Sequence, residues 1–123
     1  MTQFIVLKDK ISDQKIYEGE GTISFEGKEK KKIAFHDKQA SYIYKLYKDH
    51  CEIISESEMK VCLSLYPCQK GAGTIETPFG VIDVTTQTQK YEISEYLIEL
   101  AYTLSLQGDE QLFHFGLELI EKE

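Results

Sequence analysis

The sequence contains no arginine, because all 14 of its basic residues are lysines. The guanidinium fork of arginine makes the commonest contact to guanine and binds phosphate in a bidentate way that lysine does not reproduce. The chain also carries 21 acidic residues, which gives it a formal net charge of −7. An acidic chain without arginine is poorly suited to a polyanion, so we expect no nucleic-acid partner.

The positive charge is concentrated in one short run that comprises Lys28, Lys30, Lys31 and Lys32. Such a run could contact an anionic partner. Lysines also protect strand edges and hairpin tips from pairing with other chains. We interpret the run as a solvated strand edge or hairpin tip.

Cysteine and histidine are scarce, with three residues of each type. The positions of Cys51, Cys62 and Cys68 contain no Cys-x-x-Cys pair and match no zinc-site spacing. We therefore expect reduced thiols that pack as small hydrophobic groups, with no metal and no other cofactor.

Long apolar runs are absent too. No stretch approaches the roughly 18 apolar residues of a membrane-spanning helix, and the most apolar segment, 97–106, includes Glu99. The first residues lack the basic flank and the apolar run of a signal peptide. These absences lead us to expect a cytoplasmic protein without a membrane partner.

Motifs of common catalytic sites are missing. The glycines of Gly71-Ala72-Gly73 are not followed by the lysine-serine pair of a phosphate-binding loop, and neither Gly-x-Ser-x-Gly nor His-Glu-x-x-His occurs. Asp37 follows His36 and could orient its imidazole, although the pair can equally be a strand end. Asp83 alternates with apolar neighbours and is expected to be a surface charge. We expect no enzymatic activity.

What the sequence does contain is apolar alternation with a period of two. Apolar side chains occupy every second position over 98–106 and again over 113–119, as in strands with one buried face. Between these runs, Gly108-Asp109 is typical of a tight hairpin turn. A helix capped by Ser94 is an alternative for the first run. The alternation has no exceptions, so we predict a strand.

The same pattern continues through the rest of the chain. Residues 77–80, Thr-Pro-Phe-Gly, and residues 55–58 are typical of turns, and similar short breaks separate about eight to ten predicted strands. In one of these strands, Tyr42 and Tyr44 share a face. Strands joined by short turns pair as antiparallel neighbours, and closing such a sheet removes its exposed edges. We predict an all-β protein in which residues 1–123 form a single antiparallel up-and-down β-barrel. A two-sheet sandwich is the alternative.

Three segments resemble a known family. They are residues 74–88, which contain the Thr-Pro-Phe-Gly turn, the tail with Ala101-Tyr102, Gly108-Asp109-Glu110-Gln111 and a final alternating strand, and the pair of strands around the lysine-rich turn over 21–35. The chain is similar in these segments to the YwiB-like family of small bacterial proteins without an assigned function. The resemblance implies a calycin-like, lipocalin-type barrel and a bacterial cytosolic origin. It implies no catalytic residues.

The interior of a barrel of this size is either filled by its own side chains or holds one small ligand. If the barrel encloses a pocket for a small apolar molecule, the alternation predicts five inward-facing side chains. Two would provide threonine hydroxyls, one a tyrosine phenol, and two the phenylalanine rings of an apolar wall. These candidate ligand-binding residues are Thr86, Thr88, Tyr102, Phe113 and Phe115. The competing interpretation is that they are ordinary core residues whose hydroxyls bond internally.

An interaction protein is the alternative function. Several tyrosines and aliphatic residues fall outside the expected core, and tyrosine is common at interfaces because it is apolar at one end and polar at the other. They are Tyr47, Tyr66, Tyr91, Tyr96, Leu112 and Ile120. A homodimer formed through the outer face would use such residues.

Overall fold

The computed structural model describes residues 2–25, 30–67 and 69–120. In these ranges the chain forms ten β-strands. They are β1 (Thr2–Asp9), β2 (Gln14–Phe25), β3 (Lys30–His36), β4 (Ser41–Tyr47), β5 (Cys51–Glu56), β6 (Lys60–Leu65), β7 (Lys70–Thr77), β8 (Gly80–Ile93), β9 (Leu97–Leu106) and β10 (Asp109–Ile120). The described ranges include no helix with the length and apolar character needed to cross a membrane.

The ten strands form one closed antiparallel barrel. Each strand pairs with its neighbours in the sequence, and β1 pairs with β10 to complete the circle. The predicted up-and-down barrel is confirmed, and the sandwich alternative is wrong. Closure follows from the strand count, because a twisted sheet of about ten strands curls and gains hydrogen bonds when its two edge strands meet.

The hairpin between β9 and β10 was expected at Gly108-Asp109 and lies one residue earlier. Gln107 and Gly108 both have positive φ, 49° and 89°, which is the type I′ geometry that matches the twist of the flanking strands. The predicted helix alternative after Ser94 is wrong, since Leu97 already belongs to β9. The stretch 55–58, expected as a turn, divides between the end of β5 and a turn at 57–59.

The core lies inside the barrel, where alternate residues of every strand meet. Its fully buried members include Ile5, Leu65, Ile98 and Thr86. One inward position must be glycine, because a Cβ on Gly71 would lie 2.1 Å from the carbonyl oxygen of Ser64. The absence of a side chain at Gly71 lets the Ser64 carbonyl accept a hydrogen bond from the Thr86 hydroxyl.

The two ends of the barrel differ. We call the end that carries the hairpin loops 10–13, 37–40, 57–59, 78–79 and 107–108 the mouth. We call the opposite end, which carries the loops 48–50 and 94–96, the closed end. Core residues near the closed end such as Cys51, Leu65 and Ile98 are fully buried, whereas several apolar residues near the mouth, such as Tyr42 and Val61, are only partly buried.

The lysine run does not protect a free strand edge, and that part of its interpretation is wrong. Lys30, Lys31 and Lys32 belong to β3, which pairs with β2 on one side and β4 on the other. Lys31 is partly buried, and desolvation lowers its pKa. Its Nζ lies 5.8 Å from the centre of the Phe25 ring. Lys28 and Cys68 lie outside the described residues.

Candidate functional site

A cavity of about 320 Å³ opens at the mouth of the barrel. Its walls come from β1, β2, β4, β5, β6, β7, β9 and β10, and every lining side chain is uncharged. The lining residues are Leu7, Ile16, Tyr42, Tyr44, Ile53, Ser55, Val61, Leu63, Ile75, Tyr102, Leu104, Phe113 and Phe115. The inward alternation of the strands therefore produces a pocket whose surface is almost entirely aliphatic and aromatic.

One wall of this pocket carries Tyr42 and Tyr44 of β4, which pack against aromatic rings of β2 and β3 outside the lining. The Phe35 ring stacks on Tyr42 at 5.0 Å and on Tyr44 at 5.9 Å between ring centres. On its other side, Phe35 contacts Tyr17 with 4.6 Å between the centres. Phe35 is buried behind the two tyrosines, so it fixes the positions of Tyr42 and Tyr44 at the pocket surface.

A second aromatic wall comes from β9 and β10. Tyr102 lies opposite Phe113 in the strand register, and their ring centres are 5.5 Å apart. Phe115 is 6.0 Å from Phe113 and 6.3 Å from Tyr102. In the circular strand order, β9 and β10 lie across the barrel from β4 and β5. The pocket is therefore bounded by aromatic rings on two facing sides.

The tyrosine hydroxyls of the interior divide into two sets. Tyr17 donates to the carbonyl of Glu20, and Tyr91 donates to the carbonyls of Tyr47 and His50. For Tyr42, Tyr44 and Tyr102, the described part of the chain provides no hydrogen-bond partner. These three pocket hydroxyls are the ones left available to another molecule.

Burial keeps these phenols neutral. Desolvation raises the pKa of Tyr44 well above its ordinary value, and the nearby Tyr102 adds to the effect. The pKa of Tyr102 is likewise raised, chiefly by desolvation. Tyr42, closer to the mouth, has a pKa raised by desolvation and by the carboxylate of Asp37. At neutral pH all three side chains are uncharged hydrogen-bonding groups.

The five candidate residues from the sequence lie in two places. Tyr102, Phe113 and Phe115 line the pocket. Thr86 lies outside the lining, fully buried, and donates to the carbonyl of Ser64 at 2.7 Å. Thr88 is opposite Tyr102 in the register, and its Oγ1 is buried without a partner among the described residues. Thr86 thus matches the core interpretation of these hydroxyls, whereas Thr88 has an unused hydroxyl beside the pocket wall.

Several lining residues were not predicted. Tyr42 and Tyr44 were recognised as sharing a strand face, but alternation alone does not tell which face is inside the barrel. Ser55 was missed because its segment was expected to be a turn. Ile16 lies at the irregular register of β1 and β2, where alternation is interrupted. Only the closure of the barrel, with β1 beside β10, places these residues together.

Among the other polar residues, Asp37 does not orient His36. Its Oδ1 accepts the backbone N–H groups of Gln39 and Ala40, both at 2.8 Å, so it shapes the turn between β3 and β4. Hydrogen bonding lowers the pKa of this carboxyl. Asp83 is exposed, as expected.

His114 takes part in a surface cluster rather than in the pocket. Its Nε2 lies 2.6 Å from Glu99, and the other oxygen of Glu99 is 3.2 Å from the Lys90 Nζ. The described residues contain no group of three His, Cys, Asp or Glu side chains that could hold a metal ion. Cys51 and Cys62 are free thiols.

Tyr91 does not belong to the outer face, and its assignment there was wrong. It packs against the core at the closed end, where its two hydrogen bonds to backbone carbonyls tie β8 to the loop between β4 and β5. Tyr47 and Tyr66 stack on either side of His50, with ring centres 4.2 Å and 5.0 Å away. Tyr96, Leu112 and Ile120 are exposed.

Comparison with known proteins adds information on the fold alone. No family model matches the chain, and no curated protein matches it. The chain is similar to the crystal structure of the ywiB protein from Bacillus subtilis, with a TM-score of 0.68 and 11% sequence identity over 99% of this chain and 89% of that one. The structural part of the resemblance seen in the sequence is therefore confirmed: the chain has a YwiB-like barrel fold.

Proposed function

We propose that the protein binds a small apolar molecule in the mouth of the barrel and acts as a carrier or a sensor, with no catalytic step of its own. One observation carries the proposal: an uncharged cavity of about 320 Å³, lined by aliphatic and aromatic side chains, opens to solvent at one end. Pockets for small molecules are typically concave, mostly apolar and of roughly 300–1,000 Å³. We place this activity in the cytoplasm.

The cavity is large enough for a ligand and too large to be a packing defect. Protein interiors contain few voids larger than a water molecule, and an apolar cavity of about 150 Å³ already binds one benzene ring. The apolar residues around the mouth would be better stabilised by a filled core than by an empty one. An apolar ligand would supply the missing contacts.

A neutral fluorescent dye tests the proposal. We expect N-phenyl-1-naphthylamine, which brightens in apolar surroundings, to bind the wild-type protein with saturation. Val61 lines the cavity, so Val61→Trp should fill it and abolish the fluorescence increase. Val81 is exposed, so Val81→Trp is the matched control and should bind the dye as the wild type does. Equal binding by both variants would place the dye elsewhere and contradict the proposal.

Native mass spectrometry of protein purified from its own host identifies the natural ligand. We expect a discrete additional mass of a few hundred daltons, the size that such a pocket holds. The additional mass should be absent from Val61→Trp and present on Val81→Trp. An additional mass that survives the Val61→Trp change would belong to another site.

Association with a second copy is the second candidate function. The observation that favours it is the exposure of apolar side chains on three mouth loops, namely Ile11, Met59 and Phe79, the last of which is 98% exposed. Exposed apolar groups of this kind mark interaction surfaces when they are contiguous. Sedimentation of the wild type and of Phe79→Ser at micromolar concentration tests this candidate. A dimer that Phe79→Ser dissociates would support it, and a monomeric wild type would exclude it in that range.

A further inference from the structure

We infer that the ligand of the mouth cavity is a neutral aromatic molecule of about two rings that carries a hydroxyl or carbonyl oxygen, and that the cavity rejects carboxylates. The inference rests on the proposed function, because it names the ligand class of the same site. Three features of the pocket carry it: its facing aromatic walls, its unused hydroxyls and its lack of positive charge.

The shape of the walls favours flat ligands. Tyr42 and Tyr44 lie on one side of the cavity, and Tyr102, Phe113 and Phe115 lie on the side across the barrel. Aromatic rings gain from offset stacking and edge contacts with other rings beyond what buried area alone provides. A planar aromatic ligand could make such contacts with both walls at once, whereas a flexible alkyl chain would lose its rotational freedom and gain none of them.

The volume sets the size. A dry apolar cavity of about 150 Å³ holds one benzene ring. The mouth cavity, at about 320 Å³, is roughly twice as large. Two fused or linked rings are therefore the matching size.

The polar groups favour a neutral oxygen on the ligand. Tyr44 and Tyr102 both line the cavity, and neither hydroxyl is bonded within the described chain. Both hydroxyls border the open cavity, so a ligand that displaces water there must replace the hydrogen bonds of that water, and a ligand oxygen that accepts from these hydroxyls would do so. Ser55 provides a further hydroxyl at the cavity surface.

The electrostatics disfavour a carboxylate. The chain has no arginine, and no lysine or histidine lines the cavity. The carboxylate of Asp37 lies near enough to raise the pKa of Tyr42 at the mouth, so one negative charge lies beside this part of the lining. An anion would therefore lose its hydration without gaining a cationic partner. Fatty acids and aromatic acids are excluded on these grounds.

Calorimetric titration with four probes tests the inference. The probes are 2-naphthol, naphthalene, 2-naphthoate and decan-1-ol, each titrated at pH 7 into the full chain. We expect 2-naphthol to bind most tightly and 2-naphthoate at least about tenfold more weakly. Naphthalene should bind about fivefold more weakly than 2-naphthol, which corresponds to one hydrogen bond.

Two variants locate the hydrogen bond. Tyr44→Phe and Tyr102→Phe should each lower the affinity for 2-naphthol, together by about fivefold, and leave the affinity for naphthalene unchanged. A purely structural role would lower both affinities alike. Thr86→Val is the control, because Thr86 is buried outside the cavity lining.

The outcomes separate the two proposals. If 2-naphthoate or decan-1-ol binds as tightly as 2-naphthol, the inferred ligand class is wrong, while the apolar pocket stands. If none of the four probes binds and the dye fails as well, the proposed function itself is wrong. Unchanged affinity for 2-naphthol in both phenylalanine variants would overturn the assignment of the hydroxyls.

Discussion

The two ends of this barrel are built from the same alternating strands, yet they bury their inner residues to different degrees. At the closed end, Ile5, Cys51, Leu65 and Ile98 are fully buried. At the mouth, several inward-facing apolar residues are only partly buried, namely Tyr42, Val61, Ile75, Leu104 and Phe113. Inward and outward side chains alternate in the same way at both ends, so the difference in burial depends on whether side chains fill the centre of the barrel.

At the closed end, side chains fill the centre of the barrel, and the phenol of Tyr91 forms hydrogen bonds that stabilise the wall. Tyr91 donates 2.7 Å and 3.1 Å hydrogen bonds to the carbonyls of Tyr47, the last residue of β4, and of His50 in the loop that follows it. At the mouth, the inward phenols of Tyr44 and Tyr102 have no such partner in the described chain. Identical side chains therefore stabilise the fold at one end and remain available to a ligand at the other.

Alkaline titration should give the largest effect. Desolvation raises the pKa values of Tyr44, Tyr91 and Tyr102 in the folded protein, whereas unfolded phenols ionise near pH 10. Their contribution to stability is fully present below pH 10 and is lost as the pH rises above it, because only the unfolded chain releases these protons. We expect phenolate absorbance from these residues to appear together with the loss of the far-ultraviolet β-sheet signal.

The same alkaline titration could show that the phenols at the two ends differ in their access to water. If water filled the cavity well enough to solvate a phenolate, Tyr102 would ionise while the barrel remained folded. The phenylalanine variants at Tyr91 and Tyr102 assign the absorbance steps. Ionisation of all eight tyrosines with an intact sheet signal would show that neither end is desolvated.

Matched leucine truncations should give the next largest effect. Leu65 is fully buried at the closed end, and Leu104 is partly buried on the cavity wall. We expect Leu65→Ala to lower the free energy of unfolding by about 3–4 kcal/mol, because it opens a new cavity in a packed core. Leu104→Ala should cost about 1–2 kcal/mol, because its side chain already faces open space. Urea denaturation measures both, and equal losses would mean that the mouth is packed as tightly as the closed end.

Removal of a single hydroxyl gives a smaller difference. Tyr91→Phe should lower the free energy of unfolding by about 1–2 kcal/mol, because the change leaves two backbone carbonyls without their donor. Tyr102→Phe should change it by less than about 0.5 kcal/mol, because no hydrogen bond within the described chain is lost. Thermal denaturation of the two variants at one pH checks this, and a larger loss for Tyr102→Phe would contradict the assignment of free hydroxyls at the mouth.

The sequence was sufficient for the architecture because alternation and turn chemistry are local signals. The runs that end at Leu106 and begin again before Phe113 required only a hairpin between them, and Gln107 and Gly108 provide it with positive φ. Antiparallel neighbours and a closed sheet then follow from short turns and from the strand number. No long-range information was needed for these steps.

The pocket was less predictable because its walls depend on distant pairings. Tyr102 and Phe113 could be placed together since they lie on consecutive strands, whereas Tyr44 joins them only across the closed barrel. Thr86 and Thr88 are equivalent in the alternation, yet only Thr86 finds a carbonyl, because Gly71 lets the Ser64 strand approach it. Whether an inward hydroxyl bonds to the chain or remains unused depends on such neighbours, and the Ser64 carbonyl is 22 residues from Thr86 in the sequence.

Thiol reactivity gives the smallest effect and probes the closed end directly. Cys51 is fully buried there, and desolvation raises the pKa of its thiol to about 12, whereas Cys62 is partly exposed on β6. Because the thiolate is the reactive form, iodoacetamide at pH 8 should modify Cys62 at least about a hundredfold faster than Cys51. Peptide mapping distinguishes the sites. Similar rates would show that the closed end opens readily.

The rate of Cys51 modification in the two leucine variants tests whether the two ends of the barrel open independently. Leu65 is directly opposite Cys51 in the strand register, so Leu65→Ala should accelerate modification of Cys51 by loosening its cover. Leu104 lies on the cavity wall near the mouth, and Leu104→Ala should leave the Cys51 rate close to that of the wild type. If both variants accelerate it equally, the barrel opens as one unit. If only Leu65→Ala does, the closed end is a separately stable base on which the mouth can change shape around a ligand.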